Sequence, residues 1–170
     1  MNTTKFKGHK VKLLNDLPEI GDEAFDITLV KNDLTEQSLF DLEDKIKVLI
    51  GVPSLDLGIC QTETRKFNKA LENKKDVIGI VISKDLPFAM KRFCETDGIS
   101  NVIAGSDYRY GDFTREFNTE MIDGPFKGLS ARTVFIVDKK NKIRYVQLVP
   151  EIGQEPDYDA VIEAIDSLIS

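Results

Sequence analysis

Two short, almost unbroken apolar runs dominate the hydrophobic pattern of the chain, Ile46 to Val52 and Val77 to Ile82. Runs of this length without alternation mark strands covered on both faces, so the pattern predicts two parallel strands at the centre of a sheet. Between them Cys60, Thr64, Phe67 and Leu71 recur at helical spacing while Arg65, Lys66 and Lys69 take other angles, which predicts a crossover helix starting at Cys60. Phe88, Met90, Phe93 and Cys94 predict a second helix, with Asp85 as its N-terminal cap and Gly98 at its end. Asn101-Val102-Ile103 reads as a short strand, Asp112 to Phe117 as a helical turn and Ile122-Asp123-Gly124-Pro125 as a loop. Thr133 to Val137 and Ile143 to Val149 flank Lys139-Lys140-Asn141-Lys142, the pattern of an antiparallel hairpin. Tyr158, Val161, Ile162, Ile165 and Leu168 form the buried stripe of a final helix. Upstream, Lys5 to Leu13 alternates charge with bulk about Gly8, as a short hairpin does. Ala24 to Val30 predicts a strand, closed by the Asn32-Asp33 turn and followed by a short strand or turn at Ser38-Leu39-Phe40. A parallel βαβ unit followed by an antiparallel hairpin and a helix specifies an α/β fold, a mixed sheet with helices on its faces.

Length and charge narrow the picture. A chain of 170 residues suits one domain, 1–170, and the pattern shows no repeat, low-complexity tract or linker. A formal net charge of −6 gives no sign of a nucleic-acid face. The lysines between Lys5 and Lys12 read as the charged edge of a hairpin. No apolar run approaches the roughly 20 residues that span a bilayer, and no signal-type segment opens the chain, which leads to the expectation of a cytoplasmic protein. Two cysteines are too few for a disulfide scaffold, so a bridge between them is expected to be transient and catalytic.

The candidate chemistry centres on Cys60. It is carried out of an apolar strand into the start of a helix, where unpaired backbone N–H groups and the positive end of the macrodipole favour a thiolate. A thiolate there can attack an oxidant or an electrophile. The N–H groups of Ile59 and Cys60 lie in the first turn, free to face a substrate oxygen. Pro53 ends the strand and stiffens the loop before the cysteine. The single histidine, His9, falls in the lysine-rich hairpin and argues against a Cys-His hydrolase. By spacing alone Arg132 reads as a surface ion-pair residue, and Cys94 equally as a resolving or an inert buried thiol.

The segment Pro53-Ser54-Leu55-Asp56-Leu57-Gly58-Ile59-Cys60 resembles the active-site loop of peroxiredoxins. Their pattern is Pro, three residues, Thr or Ser, two residues, and the peroxidatic Cys. Leu57 departs from it, at the position where the family carries a hydroxyl. Two further blocks strengthen the resemblance, Asp85-Leu86-Pro87-Phe88-Ala89 through Arg92-Phe93-Cys94, and Asp123-Gly124-Pro125 through Leu129-Ser130-Ala131-Arg132. All three look closest to the bacterial thiol peroxidases, atypical two-cysteine enzymes of that superfamily. The resemblance implies a thioredoxin-like mixed sheet with helices on both faces and an N-terminal β-hairpin. It implies that Cys60 reduces hydrogen peroxide and small organic hydroperoxides, with Arg132 and the Ile59 and Cys60 N–H groups binding the substrate beside Leu57 and Pro53 shielding the sulfur. It further implies that Arg132 holds Cys60 as a thiolate near neutral pH and that Cys94 resolves the sulfenic acid as an intrachain disulfide. Thioredoxin or a similar dithiol would recycle the bridge, with no metal or bound cofactor, in a homodimer joined around the active-site loop. The Leu57 departure leaves a second reading, a redox sensor or weakly active variant that keeps the disulfide switch. A non-catalytic thioredoxin-fold interaction protein is a third.

Overall fold

In the computed structural model, which describes residues 2–42 and 44–169, a seven-stranded mixed sheet forms the frame. Its strands are β3 (Thr28–Val30), β4 (Glu36–Ser38), β5 (Ile46–Gly51), β6 (Val77–Ser83), β7 (Val102–Ser106), β8 (Thr133–Val137) and β9 (Ile143–Leu148), ordered β4-β3-β7-β6-β5-β8-β9. A separate hairpin precedes it, β1 (Thr3–Phe6) with β2 (His9–Lys12). The helices are α1 (Gly58–Ala70), α2 (Pro87–Asp97), α3 (Asp112–Glu116) and α4 (Tyr158–Ile169). This is the thioredoxin-like arrangement the sequence implied. No helix among the described residues is long and apolar enough to cross a membrane.

The two apolar runs become β5 and β6, paired in parallel in the register Ile46↔Val77 to Gly51↔Ile82. Successive side chains of a strand point to opposite faces, so each run divides between two cores. Val48, Ile50, Val81, Val134 and Ile136 meet α1, α2 and α4 on one face. Leu49, Ile80, Ile82, Phe135 and Val137 meet α3, the N-terminal hairpin and the 17–27 segment on the other. There the rings of Phe113, Phe117 and Phe135 stack with centroids 5.0 to 6.1 Å apart. β8 returns antiparallel to β5, which sets the residue before it, Arg132, at the same sheet edge as the residues that follow β5. Gly51 is required where these strands meet, because a Cβ there would sit 2.6 Å from Thr133 Oγ1 and 2.9 Å from the Phe113 ring.

Four details depart from the sequence expectation. The strand read from Ala24 begins only at Thr28, because Glu23 bridges Lys142 and the Asp26 carboxylate instead accepts from the Ser38 hydroxyl and the Phe40 N–H. β7 runs on to Ser106, past the predicted Ile103. Phe88, placed on the apolar face of α2, is 65 % exposed. Asp85 does not cap α2. Pro87 opens that helix and forces the residue before it out of the helical region, so Leu86, with φ −68° and ψ 148°, takes the capping position. Gly98 does close α2, in the left-handed conformation with φ 64°.

Candidate active site

β5 hands its last paired N–H, that of Val52, to Ile82, and the buried Pro53 then turns the chain into the loop before α1. Leu57 occupies the N-cap of α1 with an extended backbone and no side-chain cap, half-buried against the core that contains Cys60. A threonine at this position would bond the N–H groups two or three residues on. With leucine, those of Ile59 and Cys60 receive no such partner. Cys60 lies in the first turn, fully buried and free, and the Thr64 hydroxyl ties its carbonyl at 2.8 Å.

Arg132 meets the sulfur from the opposite strand. Its guanidinium is fully buried, and Nη1 donates to Cys60 Sγ at 3.1 Å and to Glu63 Oε1 at 2.8 Å. Nε and Nη2 donate to the Ile152 carbonyl at 3.0 and 2.7 Å. Ile152 is itself held by the N-terminal hairpin, its N–H donating to Lys5 O at 2.8 Å, while the neighbouring Val149 carbonyl accepts from the Thr4 hydroxyl. The Glu151 carboxylate accepts the backbone N–H groups of Lys7 and Gly8 in the β1–β2 turn. The hairpin is therefore part of the scaffold that aims the guanidinium.

Glu63 was not singled out in the sequence, although it shares the buried stripe of α1 with Cys60, Thr64 and Phe67. It is fully buried, and its Oε2 has no hydrogen-bond partner among the described residues. Burial pushes its carboxyl up to about 7; Arg132 pulls it down and Glu155 adds to the rise. Glu155 in turn accepts from the Tyr158 hydroxyl at 2.7 Å and pairs with Lys66 at 3.0 Å.

The expected thiolate requires correction. Burial pushes the Cys60 thiol up, and this outweighs the opposing pull of Arg132, the backbone hydrogen bond from Ser54 and the hydrogen bond from the guanidinium; Glu63 adds to the rise. A single cation is shared by two acids in a dry pocket, so neither ionises freely. Electrophile or oxidant chemistry at this sulfur draws on an adjacent fixed charge, helix-start donors and exclusion of water.

Cys94 sits in the last turn of α2, also free and buried, in a different setting. Its thiol is likewise pushed up, by burial first, against a hydrogen bond from the Asn32 side chain. It lies on the wall of a surface cleft of about 330 Å³ whose lining includes Lys31, Asn32, Ser100 and Val102. The structure thus brings Pro53, Leu57, Ile59, Cys60 and Arg132 to one edge of the sheet, with Cys94 on a second helix over the same buried core as Cys60. Asp85, expected as a cap, turns its carboxylate onto the 53–57 loop instead.

Comparison with known proteins bears on this arrangement. The Redoxin family profile matches residues 19–162. A thiol peroxidase of Leptospira interrogans (serovar copenhageni) is 46 % identical over 171 residues, covering 99 % of this chain and 100 % of the relative. The thiol peroxidase of Aquifex aeolicus is 44 % identical over 98 % of each chain. Among solved structures, a peroxiredoxin-like protein from Aquifex aeolicus superposes with a TM-score of 0.94 at 44 % identity, over 98 % of this chain and 96 % of that one. A thiol peroxidase from Chromobacterium violaceum shares the fold, with a TM-score of 0.88 at 19 % identity, over 97 % and 95 % of the two chains.

Proposed function

The chain belongs to the Redoxin family and is a thiol-dependent peroxidase, and from that premise we propose that Cys60 is the thiol that attacks hydrogen peroxide and small organic hydroperoxides. The observation that carries the assignment is the 3.1 Å hydrogen bond from a fully buried Arg132 to a cysteine in the first turn of a helix. In the reaction the sulfur forms a bond to one peroxide oxygen as the O–O bond breaks. The thiol's proton ends on the departing oxygen, so the products are a Cys60 sulfenic acid and water or an alcohol. Negative charge passes from sulfur to the leaving oxygen along this path. Arg132 and the uncapped N–H groups of Ile59 and Cys60 are the donors suited to follow it. Pro53 and Leu57 keep water from the sulfur.

The sulfenic acid then condenses with Cys94, releasing water and forming an intrachain disulfide, which thioredoxin or a similar dithiol reduces. Cys94 lies about 10 Å along the α2 axis from Pro87, whereas Cys60 opens α1. A disulfide needs Cα atoms within about 7 Å, and with Cys60 in the first turn of α1 and Cys94 in the last turn of α2 the proposed bond includes a local rearrangement that brings the two turns together. The cleft beside Cys94 supports access of the reductant to that sulfur. A cytoplasmic setting supplies such reductants. Exposed Leu86, Phe88 and Tyr108, all just beyond the carboxyl ends of β6 and β7, support a homodimer joined near the active-site loop.

Peroxide consumption with a recycling dithiol, followed by intact mass, tests the roles. Cys60→Ser abolishes consumption, and Cys94→Ser leaves one oxidation event that stops at the sulfenic acid. Loss of the first oxidation in Cys94→Ser, with Cys60→Ser still oxidised, reverses the assignment.

A further inference from the structure

Asp85 lies between β6 and α2, the helix that carries Cys94, yet its carboxylate is spent on the loop that carries Cys60. Oδ2 accepts from the Leu55 N–H at 2.7 Å and from the Ser83 hydroxyl at 2.7 Å, and Oδ1 accepts from the Ser54 hydroxyl at 2.8 Å. The Ser54 backbone N–H lies close enough to the Cys60 sulfur to favour its anion, and the Ser54 hydroxyl accepts from the Asp56 N–H at 3.1 Å. On its other side Asp85 is anchored in the sheet. Its N–H donates to Ser83 Oγ at 3.1 Å, and its carbonyl accepts from the buried Ser106 hydroxyl. One side chain therefore fastens the 53–57 loop to the start of α2, through hydrogen bonds to a carboxylate, the stronger kind.

We propose that Asp85 is a latch: closed, it positions the Cys60 loop for peroxide attack, and its release lets Cys60 and Cys94 reach each other. The inference rests on the disulfide step proposed above. When closed, the carboxylate fixes Ser54 and Leu55, and with them the N–H near the sulfur. In the second step the Cys60 S–O bond breaks and the S–S bond forms, the hydroxyl leaving with the Cys94 proton as water. That step moves the first turn of α1 or the body of α2, and Asp85 is bonded to the chain leading into each. Either movement strains or breaks these hydrogen bonds. A weaker latch therefore slows the first step and speeds the second, whereas a residue that merely supports the fold slows both.

The test is rapid-quench kinetics with hydrogen peroxide, alkylating free thiols and reading sulfenic acid and disulfide by intact mass, because the chain has no tryptophan to report the steps by fluorescence. Asp85→Asn keeps the size of the side chain and removes its charge. It is expected to slow sulfenic acid formation by about tenfold and to speed disulfide closure by about threefold or more, following the cost of losing a hydrogen bond to a charged group. Under excess peroxide the fraction overoxidised to sulfinic acid falls accordingly. Ser54→Ala removes one of the three bonds and shows the same opposed changes at smaller size, which keeps the test open if Asp85→Asn folds poorly. Two rates that fall together, or that both stay at the wild-type values, overturn the latch. A wild-type protein that accumulates sulfenic acid and forms no Cys60–Cys94 bond overturns the disulfide reading itself, a failure visible before any variant is made.

Discussion

Replacing Glu63 by glutamine separates the two acids that share Arg132. The amide oxygen still accepts the guanidinium hydrogen bond, so Arg132 keeps its aim while the competing negative charge disappears. Hydrogen bonds of 3.1 and 2.8 Å to the same nitrogen bound the separation of Cys60 Sγ and Glu63 Oε1 at about 6 Å. Two charges at that distance interact by up to about 3 kcal/mol at an effective dielectric near 20. Glu63 titrates at about 7, so the penalty on the thiolate is felt chiefly at neutral pH and above. The groups facing it include Arg132 before β8, Cys60 on α1, and Glu155 and Tyr158 at the start of α4, with Lys66 neutralising Glu155.

Glu63→Gln should therefore lower the midpoint of Cys60 ionisation. A weaker base is also a poorer nucleophile. With a Brønsted slope near 0.45, each tenfold gain in thiolate at pH 7 costs about threefold in intrinsic reactivity. The net expectation is a reaction about threefold or more faster at pH 7 and a slower one on the alkaline plateau. The assay is the pH dependence of iodoacetamide alkylation and of single-turnover peroxide oxidation, in a Cys94→Ser background so that one thiol reports. An unchanged or raised midpoint refutes the competition and makes Glu63 a prop whose hydrogen bond matters more than its charge.

The same variant exposes a linkage with stability. The Glu63 carboxyl titrates at about 7 in the folded protein against an ordinary 4.5, so the folded state keeps a proton that the unfolded chain loses, and stability falls as pH rises through that window. Urea unfolding should show wild type losing about 3 kcal/mol relative to Glu63→Gln between pH 4.5 and 8, and parallel curves would reject the linkage. Leu57→Thr restores a hydroxyl beside the uncapped N–H groups and should speed the first oxidation by about one to two orders of magnitude in single turnover. Equal rates would mean that another group already supplies that hydrogen bond.

The architecture was legible because its signals are local: unbroken apolar runs for β5 and β6, helical periodicity in α1, and turn residues between β8 and β9. The contact between Cys60 and Arg132 was foreshadowed by neighbouring motifs rather than by spacing. The rest of the site depends on contacts between segments far apart in the chain. Glu63 looked like one more charge on a helix, and only the guanidinium arriving from β8 makes a buried carboxylate tolerable there. Asp85 carried a capping residue's chemistry next to a helix, but Pro87 moved the cap to Leu86 and left the carboxylate to find the 53–57 loop. The N-terminal stretch reads only as a short hairpin with a charged edge, yet Lys5 holds Ile152 and Ile152 holds Arg132. Each of these residues acts by positioning a group that acts on the sulfur. Such second-hand roles leave no periodicity behind, because the hydrogen bonds that define them join segments far apart in the chain. Even so, the chemistry is set by them: the pull of Arg132 on Cys60 is only as strong as the carbonyl, carboxylate and hairpin that fix its distance.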